Sequence, residues 1–164
     1  MEQTNYEMGM MPQKPSSMLN VLTILTIIGS LFGLVGGLWN YINADEAYQK
    51  MREAASAPGM ADAPDFVKAF VNEEAIENAR LMMENKLPIL ILTLLGSALC
   101  LYGALEMRKL KKQGYVIWLA GELLPIIAMA ILIGMSAFSG FAIIGAVFPL
   151  AMIIMYTVCK KELN

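Results

Sequence analysis

Residues 115–138 read YVIWLAGELLPIIAMAILIGMSAF, and Glu122 is the only charged residue in this stretch. At a rise of 1.5 Å per residue, a helix of this length would be about 36 Å long, enough to cross a hydrocarbon core of roughly 30 Å. The stretch therefore predicts a transmembrane helix.

The rest of the chain supports the same class of protein. Of its 164 residues, 57% are hydrophobic and 16% are charged, whereas soluble domains are about 25% charged. The sequence predicts an all-α bundle of four transmembrane helices at about 18–42, 87–105, 115–138 and 141–159. Polar tails at 1–17 and 160–164 flank this transmembrane domain. Ser139 and Gly140 alone separate the third and fourth helices, which predicts a tight hairpin.

Basic residues give the predicted orientation. Arg108, Lys109, Lys111 and Lys112 join the second and third helices, and two further lysines follow the fourth. Such residues favour the cytoplasmic side of a membrane. We therefore expect both termini in the cytoplasm and the protein in the inner (plasma) membrane of the cell. The same four residues are compatible with binding to anionic lipid headgroups.

The segment Ala44 to Lys86, called the acidic segment below, would then lie outside the cytoplasm. It holds nine acidic and five basic residues. Residues 45–55 have a composition that favours continuation of the first helix, and Pro58 and Pro64 interrupt the chain. Asp65 is a candidate cap for a further helix. The segment is therefore predicted to be partly helical.

Glu122 is the candidate site residue, because an acid inside a membrane is costly unless it is protonated, paired or hydrated. Counting inward along each predicted helix reaches other polar groups at a similar depth. The predicted polar cluster consists of Glu122, Tyr102, Tyr156, Thr23 and Thr26. It is either a hydrogen-bond network that fixes the helix packing, or a site for a proton, a cation or a ligand headgroup.

Gly29, Gly33 and Gly37 follow one another at four-residue steps in the first predicted helix. Small residues at this spacing let another helix approach closely. The stripe predicts helix packing, either within the bundle or between two copies of the chain.

Several chemistries lack the residues they need. The chain contains no histidine, and its two cysteines lie inside or at the end of apolar segments. No nucleophile with a base, phosphate-binding glycine loop or metal-ligand spacing occurs. A net charge of −2 does not favour nucleic acid. We therefore predict no enzymatic activity, no cofactor and no metal.

The connection EMRKLKKQGY at 106–115, together with the short chain, resembles that of small uncharacterised four-helix integral membrane proteins of bacteria. The resemblance covers residues 18–159 and implies no activity. The first hypothesis is a non-enzymatic protein that acts through helix packing and partner contacts, as an accessory subunit or a small homo-oligomer. The alternative is a small transporter or channel component in which Glu122 titrates. Membrane lipids, and either a protein partner or a second copy, are the expected partners.

Overall fold

The computed structural model describes residues 14–138 and 142–163, without the side chains of 142–146. Regular structure in these residues is helical, and no strand occurs among them, which confirms the all-α class. The elements are α1 (Ser17–Ser56), α2 (Asp65–Phe70), α3 (Glu73–Glu84), α4 (Lys86–Arg108), α5 (Lys112–Leu132) and α6 (Ala142–Cys159), with 3₁₀ turns at Met135–Phe138 and Lys160–Glu162.

Among the described residues, α1, α4 and α5 are long and apolar enough to cross a membrane. Many of their large apolar side chains are exposed, including Phe32, Ile91 and Val116. Lipid-facing positions of membrane helices have this character. The fourth predicted segment corresponds to α6. The predicted Ser139-Gly140 turn and residues 1–13 of the polar tail lie outside the described residues.

The first helix is much longer than a membrane span. Its 40 residues extend for about 60 Å, roughly twice the thickness of a hydrocarbon core. The last 14 residues of the helix, 43–56, continue into the acidic segment, and α3 packs back against them. Lys86 pairs with Asp45 where the chain enters α4. We call these two packed pieces, 43–56 and α3, the polar hairpin.

Capping differs in detail from the expectation. Asp65 is the first residue of α2 rather than its cap, because Pro64 occupies the cap position and makes no side-chain hydrogen bond there. In α3 the cap is Asn72, whose side-chain oxygen accepts a hydrogen bond from the backbone N–H of Ala75 at 2.7 Å. This bond satisfies one of the free N–H groups that begin a helix.

Hydrogen bonds define the two ends of the bundle. At one end, Asn78 of α3 accepts a bond from the Ser136 hydroxyl at 2.7 Å and donates to the Ser136 carbonyl at 3.2 Å. At the other end, the backbone N–H of Ser16 donates to the Glu162 carboxylate at 3.2 Å. The second end also holds the α4–α5 connection, and we call it the basic end. The start of α1 and the end of α6 therefore lie together.

Helices α4 and α5 approach each other through glycines. A Cβ atom on Gly96 would lie 2.9 Å from the Gly121 carbonyl oxygen, and one on Gly103 would lie 2.7 Å from the Gly114 carbonyl oxygen. Real Cβ atoms do not tolerate such distances. The backbones of the two helices are therefore in direct contact, which fixes the register of the hairpin.

The core near the basic end is aromatic. Trp118 and Tyr156 are each 1% exposed, and their ring centroids lie 4.3 Å apart. Leu19, Leu22 and Met107 also belong to this core. Trp118 and Tyr156 therefore pack inside the bundle, which joins α5 to α6 and places Tyr156 next to α1.

Candidate functional site

A partly open cavity of about 310 Å³ lies between α1, α4, α5 and α6. We call it the Glu122 cavity. Its polar lining consists of Thr26, Ser30, Thr93, Ser97, Cys100 and Glu122. Every one of these side chains lies on a helix, so the site is built on elements that hold their positions.

Small residues and a proline create the space. Gly29 and Gly33 line the α1 wall, and a Cβ atom on Gly29 would meet nothing within 4 Å. Pro125 lies inside α5 and lacks a backbone N–H, so the Gly121 carbonyl loses its usual helical donor. Both residues line the cavity. The glycines of α1 therefore leave space in the cavity, and the Gly121 carbonyl of α5 adds a backbone hydrogen-bond acceptor to its wall.

Glu122 has one hydrogen-bond donor among the described residues. The Cys100 thiol donates to Glu122 Oε2 at 3.4 Å, and it also lies 3.7 Å from the Trp118 carbonyl oxygen. No lysine or arginine within the described part of the chain forms an ion pair with Glu122. A carboxylate has about four acceptor positions, so most of this capacity faces the cavity.

Other polar groups divide into paired and available ones. Tyr156 OH and Thr26 Oγ1 are hydrogen-bonded at 2.8 Å, and the Ser30 hydroxyl donates to the Thr26 carbonyl at 2.8 Å. The hydroxyls of Thr93 and Ser97 make no hydrogen bond to any described residue. These two hydroxyls are therefore available, like Glu122, to bind a ligand in the cavity.

The structure brings together part of the predicted polar cluster. Glu122 and Thr26 line the cavity, and Tyr156 reaches it through Thr26. Thr23 is fully buried but bonds the Asn20 carbonyl of its own helix at 3.0 Å, one turn closer to the basic end.

Tyr102 does not join the cluster, because it is 51% exposed and does not line the cavity. Two residues along a helix correspond to a rotation of about 200°, so Tyr102 points away from the face that carries Cys100. The depth estimate from the sequence ignored this rotation.

The glycine stripe of α1 has two different roles. A Cβ atom on Gly33 would lie 2.6 Å from Ser97 Oγ, and one on Gly37 would lie 3.1 Å from Thr93 Cγ2. Both glycines therefore pack against α4 of the same chain. Gly29 has open space beside it and contributes to the cavity wall.

The basic connection contains a buried carboxylate. Glu106 is 3% exposed, and its Oε1 accepts a hydrogen bond from Lys109 at 2.8 Å. Its Oε2 accepts a hydrogen bond from Gln113 at 3.2 Å and lies 2.8 Å from Lys111 Nζ. The hydrogen bond to Glu106 raises the pKa of Lys109 above its ordinary value. Arg108 and Lys112 form no ion pair with a described residue, so they are the members of the predicted headgroup site that keep an unpaired charge.

Four polar residues that line the cavity are absent from the predicted cluster: Ser30, Thr93, Ser97 and Cys100. The cluster was predicted from the depth of Glu122 alone, which does not say which helix face each residue occupies. Gly96 and Gly103, like Gly114 and Gly121, are seven residues apart, which places each pair on one helix face. That spacing was a usable signal for the α4–α5 interface.

The arrangement is suited to reversible binding of a positive group. A carboxylate with free acceptor capacity and two available hydroxyls line one cavity that four helices surround. No group of three His, Cys, Asp or Glu residues that could hold a metal ion occurs in the described ranges. No protein family, curated protein or solved structure matches this chain.

Proposed function

We propose that the protein crosses the bacterial inner membrane four times, with both termini in the cytoplasm. Three of the spans are α1, α4 and α5, and α6 would be the fourth. The contact between Ser16 and Glu162 supports an even number of crossings, since it joins the beginning of α1 to the end of α6. The lysines and Arg108 at the same end support its cytoplasmic assignment.

We further propose that the protein binds a proton or a small cation at Glu122, as a component of a transporter or channel. The observation that carries this proposal is the cavity-lining carboxylate, which has a single thiol donor and no described cationic partner. Maintaining an acid at this depth costs free energy. A bound proton or cation would offset that cost.

A purely structural hydrogen-bond network would satisfy the carboxylate more fully. Glu106 provides the contrast within the same chain, because three side chains surround its carboxylate and the group is buried. Glu122 instead lines an open cavity that Ser97 and Thr93 also line. This difference favours the titratable-site hypothesis over a network that only fixes helix packing.

The second candidate is a non-enzymatic accessory subunit or homo-oligomer that acts through partner contacts. Gly33 and Gly37 support it poorly, because α4 of the same chain already occupies them. Phe66 supports it better. This side chain is 66% exposed on α2 and would suit an apolar pocket on a partner protein.

Proton and cation flux into liposomes that contain the purified chain would test the first proposal. We expect flux from the wild type, loss of flux in Glu122→Gln, and partial activity in Glu122→Asp, which keeps the carboxylate. Glu74→Gln is the matched control, because Glu74 is exposed on α3. Equal flux in wild type and Glu122→Gln would overturn the proposal. Loss of a co-purifying partner in Phe66→Ala would then favour the second candidate.

A further inference from the structure

A second concave surface adjoins the Glu122 cavity. It is a groove of about 490 Å³ between α1 and α6, and its lining is almost entirely apolar. Six residues line the groove but not the cavity: Ser17, Met18, Val21, Leu22, Ala151 and Met155. Leu25, Phe148 and Met152 line both the groove and the cavity, so the two spaces adjoin at these side chains.

The groove has a definite direction. Along α1 it extends from Ser17, at the basic end, to Leu25, a distance of about 12 Å at 1.5 Å per residue. From Leu25 the Glu122 cavity continues past Thr26 and Gly29. The combined space therefore has an apolar portion toward the basic end and a carboxylate at its inner end.

This shape and this charge match one kind of molecule. We propose that the site binds an amphiphilic amine, whose ammonium group lies beside Glu122 and whose alkyl chain occupies the α1–α6 groove. The inference rests on the proposed cation site and specifies the chemical class of the cation. An ammonium group donates up to three hydrogen bonds, and the Glu122 carboxylate supplies acceptors for them in a cavity that Ser97 and Thr93 also line.

The apolar part of the ligand would add affinity in proportion to the chain buried. Each methylene removed from water contributes up to about 0.8 kcal/mol, or roughly fourfold in affinity. Partitioning of the free amine into detergent removes part of this gain. Binding constants must therefore be referred to the aqueous amine concentration measured at the same detergent concentration.

Ala151 offers a way to fill the groove without touching the cavity. It is exposed on α6 and lines only the groove, so Ala151→Trp would occupy space needed by the alkyl chain. Ile154→Trp is the matched control, because Ile154 is 67% exposed on the same helix and does not line the groove. Ala151→Leu is a milder alternative if the tryptophan variant does not fold.

The test is calorimetric titration of the detergent-solubilised full chain with butylamine, octylamine and dodecylamine. We expect Kd to fall at least about tenfold from the shortest to the longest amine in the wild type and in Ile154→Trp. Ala151→Trp, or Ala151→Leu in its place, should remove most of this gain and leave butylamine binding unchanged. Glu122→Gln should abolish binding of all three amines.

Two other results would overturn the inference, and they differ from each other. If butylamine binding depends on Glu122 but chain length or Ala151→Trp has no effect, the cation site stands and the amphiphilic ligand is wrong. If none of the amines binds in a Glu122-dependent manner, the amphiphilic-amine inference fails. Equal proton and cation flux in wild type and Glu122→Gln liposomes would show that the proposed function has failed as well.

Discussion

Gly103 and Gly114 face each other across the α4–α5 interface so closely that neither position has room for a side chain. A Cβ atom on Gly103 would lie 2.6 Å from the Trp118 backbone nitrogen, and one on Gly114 would lie 2.6 Å from the Met107 backbone nitrogen. The obstructing atoms belong to backbone, which cannot move aside as a flexible side chain can. This contact holds α5 in the position that directs Glu122 into the bundle.

Gly103→Ala should therefore destabilise the protein. Insertion of a methyl group into a tightly packed interface typically costs about 1–3 kcal/mol, and here it would force the two helices apart. We expect a lower midpoint in thermal unfolding of the detergent-solubilised protein, and a weaker response to any ligand of the Glu122 cavity.

Gly36→Ala is the matched control for this substitution. Gly36 also lies within a transmembrane helix, but a Cβ atom there would meet nothing within 4 Å. Alanine favours helix formation over glycine by about 1 kcal/mol, so this variant should be neutral or slightly more stable. Equal stability of the Gly103→Ala and Gly36→Ala proteins would show that the α4–α5 contact is not close.

Much of this fold follows from one-dimensional patterns. The apolar runs around Glu122 and Cys100 give the helices, and the breaks at Pro58 and Pro64 locate the end of α1. The positions of the helices can be predicted from the sequence because hydrophobicity and breakers act locally. Their lengths are predicted less well, since α5 ends at Leu132 rather than at residue 138, and Gly134 just beyond its end has a φ of 100°. Packing partners are harder to predict from the sequence. Gly29, Gly33 and Gly37 follow the same spacing, but Gly29 faces a cavity, Gly33 packs against a serine and Gly37 packs against a threonine.

The sequence predicted how deep in the membrane the site residues lie, but not which face of each helix carries them. Glu122 and Thr26 were identified because their distance from the membrane boundary can be counted along the chain. Tyr102 was included for the same reason, although its side chain points out of the bundle. Only the angular position around each helix distinguishes it from Cys100, and α4 reveals that angle through its buried glycines.

Thr26 and Tyr156 connect α1 to α6 by a buried hydrogen bond of 2.8 Å. A double-mutant cycle with Thr26→Val and Tyr156→Phe should measure a coupling energy of about 0.6–1.7 kcal/mol, the range found for hydrogen bonds between membrane helices. The coupling energy would be obtained from the free energies of unfolding of the four proteins in detergent. Thr157→Val with Tyr156→Phe serves as the control pair, and a coupling no larger than in that pair would mean that α6 does not depend on this bond.

Asn78 connects the polar hairpin to the Met135–Phe138 turn through two hydrogen bonds with Ser136. Asn78→Ala removes both bonds, at a cost of about 1 kcal/mol each. We expect faster hydrogen–deuterium exchange in peptides from α3, while exchange in α4 and α5 stays unchanged. Glu74→Ala should leave α3 exchange unaltered. Unchanged exchange in Asn78→Ala would show that α3 is held by its packing on α1 alone.

Lys109 should make stability depend on pH in the alkaline range. Its pKa is raised in the folded protein because Glu106 accepts its hydrogen bond. A raised lysine pKa contributes stability that is fully present below the ordinary value of about 10.4, and that is lost as pH rises through the folded-state pKa. The stability difference between wild type and Lys109→Gln should thus be constant from neutral pH to about pH 9. It should narrow above about pH 10.4. A difference that disappears near neutral pH would contradict this pairing.

The proposed orientation can be tested by cysteine labelling in intact cells, and the native cysteines favour such an experiment. Cys100 and Cys159 are both buried, so they should react slowly with a charged maleimide. Ala61→Cys and Lys112→Cys introduce exposed thiols at opposite ends of the bundle. With the basic end in the cytoplasm, the impermeant reagent should label Ala61→Cys in intact cells and label Lys112→Cys only after permeabilisation. The reverse pattern would invert the orientation, and labelling of both positions from outside would exclude a single orientation of the chain.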